Sequence, residues 1–477
     1  MTTQPPGLPG PPGCTICPVA GKGFGLFTQN IHQQGVQVFR DEPLFVVQHS
    51  GNRRVAANCA RCCAFLGPLQ VQLERIFSEA RFEQLLGVLR QSGLVQQWEA
   101  AMIGQEPQRG KTPVPCAKGC GELYCSTACR DAHYMHSHNL LCAGLVDSED
   151  HPLIKYKYLA IENTDTLLLA AQVFAHLVNR AKALGGGADT TRALLQELFA
   201  FCHAPLKEAS RPPPDRPKDV EFAMHCDRLV AEAAQLLKAA FDLHSPAEAA
   251  ALFEHGPAYL SELLGLFEYN NIDVEVASPL GSYFQNRAQM LGMQGSADAQ
   301  QELHMLEAVL REKEWVMRCV WGEETTGIFD DGLGEEENDA EMGEDEEDDL
   351  DDGAISAAAE AAMAKARQYV DGLSMNQLLQ ARWPSMHGTG LFVSVARINH
   401  SCAPNLKVDF PDNSCCLRAT ALQPLASGAE LCISYIRNEL PVQERRRQLA
   451  EYGFACNCER CMAEDSGDSR RTAKRLK

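Results

Sequence analysis

The 477-residue sequence has no run of about 20 apolar residues, so no membrane-spanning helix is expected. Its opening residues, MTTQPPGLPGPPG, carry neither a basic leader nor an apolar core, so no secretory signal is expected. Positive charge is also scarce where charge is densest. Between Glu323 and Asp352 lie 17 acidic residues and no Lys or Arg, against a formal net charge of −20 for the whole chain. The remainder is therefore nearly neutral. Neither part offers the basic footprint that nucleic acid requires, so no direct nucleic-acid partner is expected. An acidic segment instead suits a basic protein partner, through electrostatic steering. No repeat of 20–50 residues occurs, which excludes a solenoid.

What is present is cysteine, at 20 residues, in a chain whose apolar (45 %) and charged (22 %) fractions are those of a folded protein. The length predicts two to four domains. With no export signal, clustered thiols are expected to bind metal rather than pair as disulfides. Residues 1–17 read as a disordered Pro/Gly tail, with no role for Cys14 or Cys17. Residues 18–58 alternate apolar and polar positions after a Gly-rich turn and read as strands. Residues 59–142 hold a cysteine/histidine cluster with a long insert, 64–115, that has helical spacing near Leu73–Leu94. Residues 143–322 are rich in Ala, Leu and Glu at helical periods and break at Pro212–Pro217. Residues 323–353 read as a solvated acidic loop. Residues 354–440 are assigned to the carboxyl-terminal part of a β-domain, with short strands and turns over 388–461; 441–464 form a second cysteine segment, and 465–477 are a basic tail. Strands open and close the chain, so one β-domain is expected, split by two insertions.

The first cluster offers Cys59-x2-Cys62, Cys116-x3-Cys120, Cys125-x3-Cys129 and His138-x3-Cys142. Tetrahedral zinc needs four N or S donors, and close pairs supply two from one turn. Eight donors make two sites. His133, His136 and Cys63 are competing ligands. The tail offers Cys456-x-Cys458-x2-Cys461, which lacks a fourth donor of its own.

Several motifs come in a telling order: Gly21-Lys-Gly-Phe-Gly-Leu-Phe27, the cysteine pairs, a helical stretch, Asn399-His-Ser-Cys402, Glu430-Leu-Cys-Ile-Ser-Tyr435, then Tyr452-Gly-Phe-Ala-Cys456. Residues 116–142 resemble a MYND zinc finger. The whole order resembles the SET-and-MYND family of protein-lysine methyltransferases, with the likeness confined to residues 21–50, 59–63, 116–142 and 388–461. It implies an α+β fold: a split, β-rich SET domain with a knot-like crossing, an inserted MYND finger and helical insert, and a cysteine-rich post-SET segment. No carboxyl-terminal helical-repeat domain is expected after Cys461.

The resemblance also implies roles. Cys59, Cys62, Cys125 and Cys129 would hold one zinc; Cys116, Cys120, His138 and Cys142 a second; Cys402, Cys456, Cys458 and Cys461 a third. S-adenosylmethionine would meet Lys22, Gly23, Phe24 and Gly25, Asn270 or Asn271, Asn399, His400, Tyr435 and Phe454. Tyr435 would be catalytic and Tyr452 would line the lysine channel. The substrate would be a lysine of a histone, on H4 or H3, or of a non-histone protein such as a ribosomal protein. The finger can take proline-rich peptides, and the setting would be nucleus and cytoplasm. The alternative reading is a zinc-finger adaptor with an inactive SET domain.

Overall fold

Strands from three distant parts of the chain meet in one β-region, in a computed structural model that describes residues 10–77, 87–88, 91–103, 112–146, 149–210, 220–321, 352–450 and 452–464. Cys14–Val19 pairs antiparallel with Gly23–Thr28. The expected tail therefore ends too late at residue 17. The Pro/Gly composition stops at Gly13, and Cys14 and Ile16 already pack against the β-core. One three-stranded sheet runs Leu406–Asp409, Leu417–Ala421, Gln37–Asp41. Another has Met386–Leu391 at its centre, between Phe45–Gln48 and Asn271–Val276. The central strand contains Gly388 because a Cβ there would stand 2.2 Å from the Val47 carbonyl oxygen.

Asn271–Val276 corrects the all-helical expectation for residues 143–322. Its sequence, NIDVEV, buries Val274 and Val276 and exposes Asp273 and Glu275, a strand period inside a helical stretch. Apart from it, the insert is helical. Leu167, Val173, Phe174 and Val178 of helix Thr166–Ala183 are fully buried, and the cluster they anchor reaches Phe45, Val47 and Leu391 of the sheet.

A second helical cluster draws on both insertions. Leu69–Ile76 and Leu94–Ile103, from the insert of the cysteine/histidine segment, pack with Pro279–Gln294, Ala297–Trp321, Asp352–Asp371 and Met375–Gln380. Trp98 is fully buried against Phe284, and its indole N–H donates to Glu302 (2.9 Å). Arg311 donates to the carbonyl of Val370, in the last turn of Asp352–Asp371, and to that of Leu373 just beyond it. Residues 354–380 thus continue the helical layer, a correction to their assignment with the carboxyl-terminal β-part. Asp352, expected at the end of the acidic loop, starts a helix. The rest of that loop, the Pro212–Pro217 break and the basic tail lie outside the described residues.

Candidate active site and metal centres

Among the described residues, three groups of four donors converge, the ligand atoms of each within 4.8 Å of one another. They are Cys59, Cys62, Cys125 and Cys129; Cys116, Cys120, His138 and Cys142; and Cys402, Cys456, Cys458 and Cys461. These are the sets that the resemblance implied. The first needs Cys125 and Cys129 on adjacent turns, and the Ser126 hydroxyl fixes this by accepting from the Cys129 N–H at the start of helix Thr127–His133. Sulfur–sulfur separations of 3.5 Å (Cys125–Cys129, Cys461–Cys402), 3.6 Å (Cys116–Cys142) and 3.7 Å (Cys62–Cys125) recur. Four thiolates at the zinc–sulfur distance of about 2.3 Å stand about 3.8 Å apart, so the donor sets fit zinc in both chemistry and spacing.

The competing ligands are engaged elsewhere. The His133 ring bonds the Tyr124 hydroxyl (3.2 Å), and His136 stacks on His176 with centroids 4.1 Å apart. Cys63, in a left-handed conformation, is buried with Cys415 in the β-core. The finger is tied to the β-region by an ion pair between Arg53 and Glu122 (2.9 Å).

The third donor group abuts the Asn399–Tyr435 region. Asn399–His400 pairs in parallel with Cys432–Ile433. That register lets the Tyr435 N–H donate to His400 Nδ1 (3.0 Å), while His400 Nε2 lies 3.2 Å from Cys402 Sγ. Burial lowers the His400 pKa to about 4, so the ring is neutral at physiological pH. With Nδ1 accepting, Nε2 carries the proton and points it at the Cys402 sulfur. One imidazole therefore joins a metal-site thiol to the Tyr435 backbone.

The Tyr435 hydroxyl donates to the Ile398 carbonyl (2.5 Å). Its ring lies 5.4 Å from His400, 5.4 Å from Tyr452 and 6.4 Å from Phe454, an aromatic wall on three sides. Burial pushes the phenol pKa above its usual value. Ile398 is held in turn by Asp41, whose carboxylate accepts from the N–H groups of Ser394 (2.9 Å) and Val395 (3.2 Å) in the turn before it.

The Gly-rich turn closes over Asn399. The Asn399 amide donates to the Phe24 carbonyl (3.2 Å) and to Glu430 (2.8 Å). A Cβ on Gly25 would meet Asn399 Nδ2 at 2.8 Å and Glu430 at 3.1 Å, so glycine is needed for this approach. Lys22 Nζ is 3.9 Å from Glu430. The other pair of candidates separates. Asn270 is buried and spends its amide on the Cys202 (2.8 Å) and Leu266 (2.7 Å) carbonyls, whereas Asn271 Oδ1 is buried without a partner. Sequence reasoning missed three residues here. Glu430 stood inside the quoted motif without a role, Asp41 had no signal beyond a strand end, and Arg445 stands in a run of three arginines that carries no signal of burial. Arg445 is fully buried, donating to Cys461 Sγ (3.5 Å) and Glu464 (2.9 Å).

The SET domain family model matches residues 246–436 of the chain, a span that ends one residue after Tyr435. Histone-lysine N-methyltransferase ATXR2 of Arabidopsis thaliana is 26 % identical over 93 % of this chain and 89 % of its own length. Protein-lysine N-trimethyltransferase SMYD5 of Homo sapiens is 43 % identical over 81 residues, 16 % of this chain and 19 % of that protein. Histone-lysine N-methyltransferase SMYD3 of Mus musculus is 39 % identical over 79 residues, 16 % and 18 % of the two chains. SET and SET-and-MYND methyltransferases are thus homologues of this chain, with the likeness to SMYD5 resting on a short segment. No helix among the described residues is long and apolar enough to cross a membrane.

Proposed function

We propose that this SET-domain homologue of the SET-and-MYND methyltransferases is an S-adenosylmethionine-dependent protein-lysine N-methyltransferase. The single observation that carries the reading is the Tyr435 hydroxyl, anchored on Ile398 within an aromatic wall beside Asn399. The knot-like crossing and the post-SET zinc segment belong to the same proposal. The parallel pairing of Asn399–His400 with Cys432–Ile433 supports the first, and the convergence of Cys402 with Cys456, Cys458 and Cys461 supports the second.

S-adenosylmethionine would supply an electrophilic methyl group on a sulfonium. The chain's part is to bind, to desolvate and to orient. The residues fit the cofactor's amino-acid end: Gly25 leaves room for close approach, and Asn399 presents an amide whose nitrogen is already committed. Lys22, Gly23 and Phe24 share that turn. Asn271, with its orphaned Oδ1, is the better-suited of the two insert asparagines. Tyr452 and Phe454 would exclude water from the incoming lysine. A dry, apolar channel disfavours the ammonium and so favours the reactive neutral amine. The Tyr435 hydroxyl donates a hydrogen bond to the Ile398 carbonyl, and its lone pairs are left to accept an N–H of that amine and orient the nitrogen's own lone pair.

The proposed substrates are lysines of histones or of non-histone proteins, ribosomal proteins among them, and the finger is proposed to add a site for proline-rich peptides. Incubation with methyl-labelled S-adenosylmethionine and either purified histones or whole-cell extract tests the reading. Label recovered as methyl-lysine is the expected result. Cofactor binding with no transfer to any protein would instead favour the adaptor reading.

A further inference from the structure

Glu430 is the charged group bonded to the Asn399 side chain of the proposed cofactor site. Its carboxylate takes one N–H of the Asn399 amide (2.8 Å), and the Phe24 carbonyl takes the other (3.2 Å). An Asn amide has two N–H donors and one carbonyl acceptor. With both donors committed, the carbonyl end is what remains, and among the described residues nothing donates to Asn399 Oδ1. Glu430 is itself held on both sides. The Asn405 amide donates to its backbone carbonyl (2.8 Å), and Glu430 bridges Phe27 on the adjacent strand. Lys22 approaches the same carboxylate at 3.9 Å. Gly25 brings the Gly-rich turn so close that any side chain there would displace Asn399 or Glu430.

We infer that Glu430 is a positioning residue: it fixes the Asn399 amide with its oxygen outward and places a negative charge behind it, so that the site selects a ligand carrying an ammonium group. The inference rests on the proposed S-adenosylmethionine site and deepens it. Without Glu430 only the Phe24 carbonyl holds the amide against rotation about its last torsion, and a turned amide presents N–H, which repels an ammonium. The Lys22 side chain is 46 % exposed.

Titration calorimetry on the full zinc-loaded chain tests this without any turnover. The probes are S-adenosylhomocysteine and its analogue with hydrogen in place of the α-amino group, and the variants are Glu430→Ala and Glu430→Gln. Wild type is expected to bind the desamino analogue about tenfold more weakly. Glu430→Ala is expected to lose about tenfold for S-adenosylhomocysteine and nothing for the analogue. Glu430→Gln, which keeps an acceptor but not the charge, is expected to fall between. Zinc content and thermal midpoint report whether each variant has folded, and if Glu430→Ala fails that check then Glu430→Gln decides, by the same selective loss. Equal weakening of both ligands, or no weakening of either, overturns the inference. A wild-type chain that binds neither ligand overturns the proposed function itself, and the inference with it.

Discussion

The Tyr435 hydroxyl donates to the Ile398 carbonyl, so only its lone pairs remain for the proposed amine substrate. Its phenol is pushed above the usual value by burial, and an acid whose pKa is raised stays protonated to higher pH. The transfer rate at saturating cofactor is therefore expected to show no falling limb from phenol ionisation below about pH 10. A pH–rate profile with such a limb near pH 8, abolished in Tyr435→Phe, would contradict this. The anchor can be tested separately. Asp41→Ala orphans the buried N–H groups of Ser394 and Val395, and is expected to cost about 1–3 kcal/mol in denaturant unfolding. At this scale the motif residues were legible because they are contiguous. Their partners were not, because Ile398 acts through a backbone carbonyl that no residue type announces. The choice between Asn270 and Asn271 could not be read from sequence either, since only packing decides which of two adjacent amides turns inward.

At the scale of elements, the segment Cys456–Cys461 is coupled to the proposed reaction centre through a thiol. Cys402 leaves the Asn399–His400 strand, joins Cys456, Cys458 and Cys461, and faces His400 Nε2. Cys456→Ser is expected to reduce zinc from three ions to two per chain by metal analysis, and to lower kcat as the His400–Tyr435 contact loosens, while the two finger sites stay filled. Loss of all three ions would show that the sites are not independent. Glu122→Gln removes the ion pair that ties the finger to Arg53. Because Arg53 is 43 % exposed, the expected loss is only about 1 kcal/mol, read as a lower denaturation midpoint. The finger was legible because its ligand spacings are short and local. The strand Asn271–Val276 was hidden by the helices on either side of it, although its alternation is plain once the register is known. The helices from 354 to 380 were hidden for the opposite reason. Their apolar faces are completed by residues some 60 to 300 positions away, including Trp98.

At the scale of the whole molecule, two insertions and the β-region they interrupt are cross-braced rather than strung in series. The insert of the finger supplies Leu69–Ile76 and Leu94–Ile103 to a cluster otherwise built from residues 279–383. Trp98→Ala is expected to cost about 3–5 kcal/mol, measured by chemical denaturation. A loss below 1 kcal/mol would mean that the finger's insert does not support that cluster. The split domain could be read from strands at both ends of the sequence. The bracing could not, because it depends on which apolar faces meet. All of this scaffolding serves one proposed event, methyl transfer, and the most direct test is its rate in wild type beside Tyr435→Phe, at saturating S-adenosylmethionine on a protein lysine substrate. The expected result is a fall in kcat of about a hundredfold, with zinc content unchanged and cofactor affinity within about threefold. Equal rates in the two proteins, or no transfer by wild type despite bound cofactor, would contradict the account.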